Sequence, residues 1–262
     1  MVSAVVVTGA SRGFGRAAAV AMVAELGLKG QRVDLFLWAR DTTKLQDTQR
    51  AVEAAAAKFK HEGAASYVPQ VDTLVDQLKK TEYETVYVVA NAASVGQLGC
   101  TQAWQSASEL ASYWELNLNS VCYMNARVLA GVTSARLVLV NISSGVANFA
   151  VAGSGLYCTG KAAREMHYRV IAEENKGEDA RVRVINYSPG AMDTDMQAEL
   201  RESTLVPQET HEMFVQMKEQ NELVKSEDSA LYCAQLLVND SFESGSTIRY
   251  DRAKLVSREG LF

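Results

Sequence analysis

The sequence predicts an α/β protein in which one doubly wound parallel sheet carries helices on both faces. Three observations predict it. Short apolar, β-branched runs alternate with helix-period segments at βαβ spacing. A glycine-rich turn follows the first of these runs, at residues 9–15. No linker, composition shift or internal repeat divides the 262 residues, so residues 1–262 read as a single domain able to bury one sizeable core.

Taken in order, Val5-Val6-Val7 has the continuous apolar character of a strand buried on both faces. An Ala-rich amphipathic helix follows the glycine turn and runs to about Leu26. Val33–Trp38 reads as the second strand and residues 43–60 as a helix. Ala65–Val71 is the expected third strand, with Asp76–Lys80 in the next helix. Val86–Ala90 is the fourth strand, and one long helix is expected over roughly Ala107–Ala130. Arg136–Ile142, residues 156–175 and Val182–Tyr187 supply a fifth strand, a helix and a sixth strand. Pro189 directly follows that strand. Residues 191–222 are polar and Met-rich with weak helical periodicity, and they are expected to form a substrate lid beyond the strand's C-terminal end.

Composition narrows the function classes. Hydrophobic residues make up 48% and charged residues 22%, as in ordinary globular chains. A formal net charge of −5 gives no reason to expect nucleic acid or an anionic membrane surface as partner. Cys100, Cys122, Cys158 and Cys233 are scattered, as reduced thiols are. The three histidines (His61, His167, His211) form no ligand cluster, so no metal is expected. The first strand begins almost at Met1, and there is no presequence or long apolar run, so a cytoplasmic protein is expected.

In "TGASRGFG", Gly9, Gly13 and Gly15 lie between the first strand and the first helix. Glycines allow a tight turn and a close backbone approach to pyrophosphate, and a helix N-terminus favours its negative charge. Placed here, the turn reads as a dinucleotide site. The second strand ends in "LFLWAR", with Ala39 where an acid would take the ribose 2′-hydroxyl of NAD and Arg40 next to it. Arg12 and Arg16 flank the turn. Guanidinium forks suit a 2′-phosphate, so NADP+/NADPH is the expected cofactor. Arg40 pairing with Asp41 is the competing possibility.

Tyr157 and Lys161 stand four apart in a helical run, on one face. That spacing alone does not make them a catalytic pair. With "TGASRGFG", "NAA" at 91–93, Asn117, "NISS" at 141–144 and "PGAMDT" at 189–194, however, they form six motifs in order and register. Over nearly the whole chain this set resembles the short-chain dehydrogenase/reductases. Phe14, Cys158, "DTDMQ" at 193–197 and "FESG" at 242–245 resemble the branch of that family that reduces pterin side-chain ketones in tetrahydrobiopterin synthesis.

The resemblance implies a Rossmann-type sheet and a homodimeric, NADPH-dependent carbonyl reductase. Tyr157 would be the proton donor, its phenol acidified by the Lys161 ammonium. Ser144, preferred over Ser143, would hold the substrate oxygen, and Asn117 would hold a water that passes protons to Lys161. Cofactor contacts are expected from Gly9, Ser11, Arg12, Gly13, Phe14, Gly15, Arg40, Asp72, Asn91, Tyr157, Lys161, Pro189, Gly190 and Thr194. Dimerisation is expected through the helices at 107–130 and 156–175.

One position departs from the pattern. Where that branch anchors the pterin edge with an aspartate, ungapped counting from Ser244-Gly245 gives Arg249. A local shift that brings Asp251 to the pterin is therefore expected. The alternatives are a general reductase of small or aromatic dicarbonyls with the same catalytic set, and a non-catalytic NADP sensor. The intact Ser/Tyr/Lys set speaks against the sensor.

Overall fold

The computed structural model describes residues 1–58, 65–67, 71–104, 106–177, 180–251 and 254. The expected strand positions 68–70, helix positions 59–60, His61 and residues 255–262 lie outside the described residues. Seven parallel strands form one sheet: β1 (Val2–Thr8), β2 (Arg32–Trp38), β3 (Ala65–Tyr67), β4 (Thr85–Ala90), β5 (Arg136–Ile142), β6 (Val182–Ser188) and β7 (Thr247–Arg249). Their spatial order is β3-β2-β1-β4-β5-β6-β7.

Strand alternation builds two cores. Val5 and Val7 face one layer, while Ala4 and Val6 face the other. The first layer holds α1 (Gly13–Leu28), α2 (Thr42–Lys58) and α9 (Ser226–Val238). The second holds α3 (Val71–Leu78), α5 (Ser120–Gly131) and α6 (Gly155–Glu174). Both faces of β1 are covered, which is why its sequence is continuously apolar.

Four elements differ from expectation. The helix expected over 107–130 is two helices, α4 (Ala107–Trp114) and α5, joined by a π turn at Glu115–Asn119. Val71, expected to close a strand, opens α3. β7 and α9 are additional to the expected elements. β7 is three residues long, and the neighbouring Lys/Glu-rich stretch masks the start of α9. Residues 191–222 contain α7 (Asp195–Glu202) and α8 (Gln208–Glu219), which lie beyond the C-terminal end of β6. No helix among the described residues is long and apolar enough to cross a membrane.

Candidate active site

Beneath the C-terminal ends of β4, β5 and β6 lies a buried polar layer that fixes α6. Arg164 is 1% exposed. Its Nε donates to Asn141 Oδ1 at 2.9 Å and its Nη1 to the Ala92 carbonyl at 3.1 Å. Its Nη2 donates to the Ala90 carbonyl. Asn141 in turn donates to Asn186 at 2.8 Å. A guanidinium this deep is tolerated because these acceptors satisfy it. Helical periodicity then places Lys161, Arg164, Glu165 and Tyr168 on the buried face of α6.

Tyr157 and Lys161 sit at the sheet end of this helix. Lys161 Nζ lies 5.7 Å from the centre of the Tyr157 ring and donates to the Ile142 carbonyl at 2.7 Å. Ser144 is near enough to act on the Tyr157 phenol, and both line the same cavity. Ser143 points elsewhere: its hydroxyl donates to Glu165 Oε1 at 2.5 Å inside the core. Strand alternation separates the two serines, and Ser144 is the one beside Tyr157.

The electrostatics differ from the expected acidified phenol. Burial pushes Tyr157 up, opposed by the neighbouring Ser144 side chain. Burial and then the Arg164 guanidinium push Lys161 well below its ordinary value, with Glu165 opposing. Desolvation disfavours both charged forms, so the pair is drawn toward phenol and neutral amine.

These residues line a cavity of about 990 Å³ that also contains the glycine turn. Gly9 has φ +66°, and a Cβ on Gly15 would meet the Gly9 carbonyl at 2.3 Å. Gly15 is therefore required for packing beneath the turn and does not itself line the cavity. Gly13, at φ +51°, faces only the Thr194 side chain. Asn91 braces the turn from β4, donating to the Thr8 and Gly9 carbonyls at 3.0 and 3.2 Å. The close-approaching backbone at the start of α1 fits a dinucleotide pyrophosphate.

Ser11, Arg12, Phe14, Arg40, Pro189, Gly190 and Thr194 also line the cavity. Asp41 pairs with Lys44, so it does not neutralise Arg40, which has no ion pair among the described residues. Arg12 pairs with Asp195 at the start of α7. Arg16 is exposed and outside the lining.

The cavity does not gather every expected residue. Asp72 lies in the first turn of α3, where it pairs with Arg127 at 2.8 Å. Asn117 is buried in the π turn. Both its amide hydrogens are used, on Ser94 Oγ at 3.1 Å and the Tyr113 carbonyl at 2.9 Å. Its Oδ1 accepts from the Ser94 N–H at 2.8 Å. The side chain thus secures the loop after β4.

The register shift expected to bring Asp251 into the site is absent. β7 sets Arg249 opposite Ser188, and the Tyr250 N–H donates to the Ser188 carbonyl at 2.8 Å. Arg249 and Tyr250 line both the main cavity and a neighbouring hollow, whereas Asp251 lines only that hollow, with Tyr232 and Lys254. The regular β-ladder leaves no extra residue to loop out, so the strand continues past the cavity before Asp251 is reached. Sequence reasoning also missed Glu165, although it stands one helical turn after Lys161. Phe149, Met213 and Met217, which supply apolar wall, carry no sequence signal of their own.

Comparison with known proteins agrees with this architecture. The family described as short chain dehydrogenase matches residues 3–205. Sepiapterin reductase of Bos taurus is 34% identical over 258 residues, covering 94% of this chain and 93% of that one. The Meriones unguiculatus sepiapterin reductase is 36% identical over 261 residues, covering 94% and 95%. A benzil reductase ((S)-benzoin forming) of Bacillus cereus is 24% identical, covering 94% and 98%. Among solved structures, a short chain dehydrogenase/reductase of Saccharomyces cerevisiae superposes with TM-score 0.74 at 22% identity, covering 95% and 96%. One from Escherichia coli CFT073, solved with NADPH, gives 0.70 at 20% identity, covering 94% and 95%.

Proposed function

The chain belongs to the short chain dehydrogenase family, and from that membership we propose that it is an NADPH-dependent carbonyl reductase. The observation that carries the reading is that Ser144, Tyr157 and Lys161 converge in the same cavity as the glycine turn. NADPH, when bound, supplies a hydride to the carbonyl carbon.

The chain's residues do the rest. The glycine turn and the start of α1 hold the pyrophosphate, and Arg40 holds the 2′-phosphate. Asn91 keeps the turn in shape. Pro189, Gly190 and Thr194 border the nicotinamide end. Ser144 donates a hydrogen bond to the carbonyl oxygen. Tyr157 donates its phenolic proton to that oxygen as charge develops there. A phenol pushed up by burial remains protonated at neutral pH, which is the form a reduction requires. The phenolate left behind sits beside Lys161, whose amine takes up a proton from solvent, stabilises the phenolate as the ammonium and passes that proton to Tyr157. Residues 191–222, with α7 and α8, serve as the lid.

Two substrate readings remain. Similarity to the sepiapterin reductases favours a pterin side-chain ketone, with a place in tetrahydrobiopterin synthesis. Arg249 in the cavity and Asp251 outside it favour a dicarbonyl instead, because a pterin's guanidine-like edge calls for a carboxylate. Oxidation of NADPH with sepiapterin and with a diketone panel, using NADH as control, tests the proposal. No turnover of any carbonyl would refute it.

A further inference from the structure

Charge around the main cavity is unevenly balanced. Its three acids are each held by a base: Asp41 by Lys44, Asp193 by Lys218 and Asp195 by Arg12. Arg40 and Arg249 have no such partner among the described residues. They stand on opposite flanks of the sheet. From β2 to β7 is five inter-strand steps, about 24 Å at the usual strand spacing. A phosphate held beside Arg40 is therefore out of reach of Arg249.

Arg249 belongs to the reacting end. Its Nη2 lies 3.3 Å from where a Cβ on Gly145 would stand, and Gly145 directly follows Ser144. Ser144, Gly145, Phe149 and Arg249 all line the same cavity, which puts the guanidinium on the wall that carries the hydroxyl proposed to hold the carbonyl oxygen. The Phe149 ring flanks the same glycine, with Cε1 2.9 Å from that Cβ position. β7 is also fixed in place. Thr247, two residues earlier and on the same strand face, donates to Glu165 Oε2 at 3.4 Å, while the other oxygen of Glu165 accepts from Ser143.

We propose that Arg249 is the substrate-anion receptor of this site, and that the chain reduces 2-oxo acids whose carboxylate lies next to the reacting carbonyl and whose apolar or aromatic group packs on Phe149. The inference deepens the carbonyl reductase reading and rests on it. An anion at this point gains a charge-assisted, two-pronged hydrogen bond. A neutral diketone gains only the apolar contact. A pterin's donor-rich edge would face a guanidinium that offers no acceptor.

The test compares phenylglyoxylate with the neutral 1-phenyl-1,2-propanedione, using the ratio of their kcat/KM values within each variant. The wild type should favour the anion at least tenfold. Arg249→Gln should bring the ratio close to one, Arg249→Lys should keep part of it, and Arg249→Asp should invert it. A ratio near one in the wild type, or an unchanged ratio in Arg249→Gln, overturns the proposal. Calorimetric titration of phenylglyoxylate into the NADP+-loaded protein separates this failure from failure of the reductase reading. If no carbonyl is turned over, binding at least tenfold weaker in Arg249→Gln still upholds the receptor. Equal binding, or none to the wild type, overturns it.

Discussion

Arg12 and Asp195 form an ion pair that ties the glycine turn to the first turn of α7, with both side chains more than half exposed. An exposed pair contributes at most about 1 kcal/mol. The proposed lid is thus fastened to the cofactor loop by a contact that a phosphate can readily replace. Asp195→Asn releases Arg12 in advance. NADPH should bind about two- to fivefold more tightly to that variant, corresponding to roughly 0.4–1 kcal/mol. Fluorescence titration checks this, and weaker binding would show that Asp195 helps rather than competes.

Arg40, just past the end of β2, lines the cavity and has no ion pair among the described residues, so the wild type should prefer NADPH over NADH by at least about tenfold, or roughly 1.4 kcal/mol. Arg40→Asp should weaken NADPH binding and leave NADH less affected. Equal affinities for the two cofactors in the wild type would remove Arg40 from this role.

Tyr157→Phe keeps the ring and deletes the proton donor. Turnover should fall by orders of magnitude, roughly 10²–10⁴-fold, with NADPH binding preserved. Stopped-flow mixing of enzyme, NADPH and diketone measures the chemical step directly. Retention of most activity would exclude Tyr157 as the acid.

Lys161 offers a test by pH. Its value in the fold lies below the ordinary 10.5, so between the two values the unfolded chain binds more protons. Stability contributed through this group therefore rises with pH across that window, and the cost of burying it is greatest below the window. Lys161→Met should melt higher than the wild type at pH 7, by about 2–4 °C per kcal/mol recovered. The gap should narrow toward pH 10, and turnover should be lost. Thermal scans at the two pH values decide it; a gap that widens with pH contradicts the sign.

The outer face of α6 presents Met166 and Val170 one turn apart, with Tyr123 of α5 also half exposed. Apolar groups in that pattern suit an isologous contact with a second copy. Light scattering at micromolar concentration should give the mass of two chains, and Val170→Glu should shift it toward one. A single-chain mass for the wild type counts against the dimer.

Much of this architecture is legible in sequence because parallel strands buried on both faces must be apolar throughout. Val5–Val7 and Val86–Ala90 announce themselves for that reason. Tyr157, Lys161 and the glycine turn are legible because their spacing follows from one helix turn and one tight loop. What escaped depends on long-range placement. β7 has only three residues, and its role comes from pairing with β6, which no local pattern encodes. The same holds for Asp251, whose position depends on a register set 63 residues away in sequence by Ser188. The direction of the Lys161 shift was hidden too, because it arises from burial beside Arg164.

At one margin of the sheet, β7 is three residues long, whereas β6 beside it has seven. Short margins offer little template for pairing with another chain. If β7 were cut away, the seven-residue Val182–Ser188 strand would become the margin and present a long row of unpaired backbone groups. Besides presenting Arg249 to the cavity, β7 is in this sense a guard against aggregation. Truncation before Thr247 is expected to show itself first as loss of colloidal solubility.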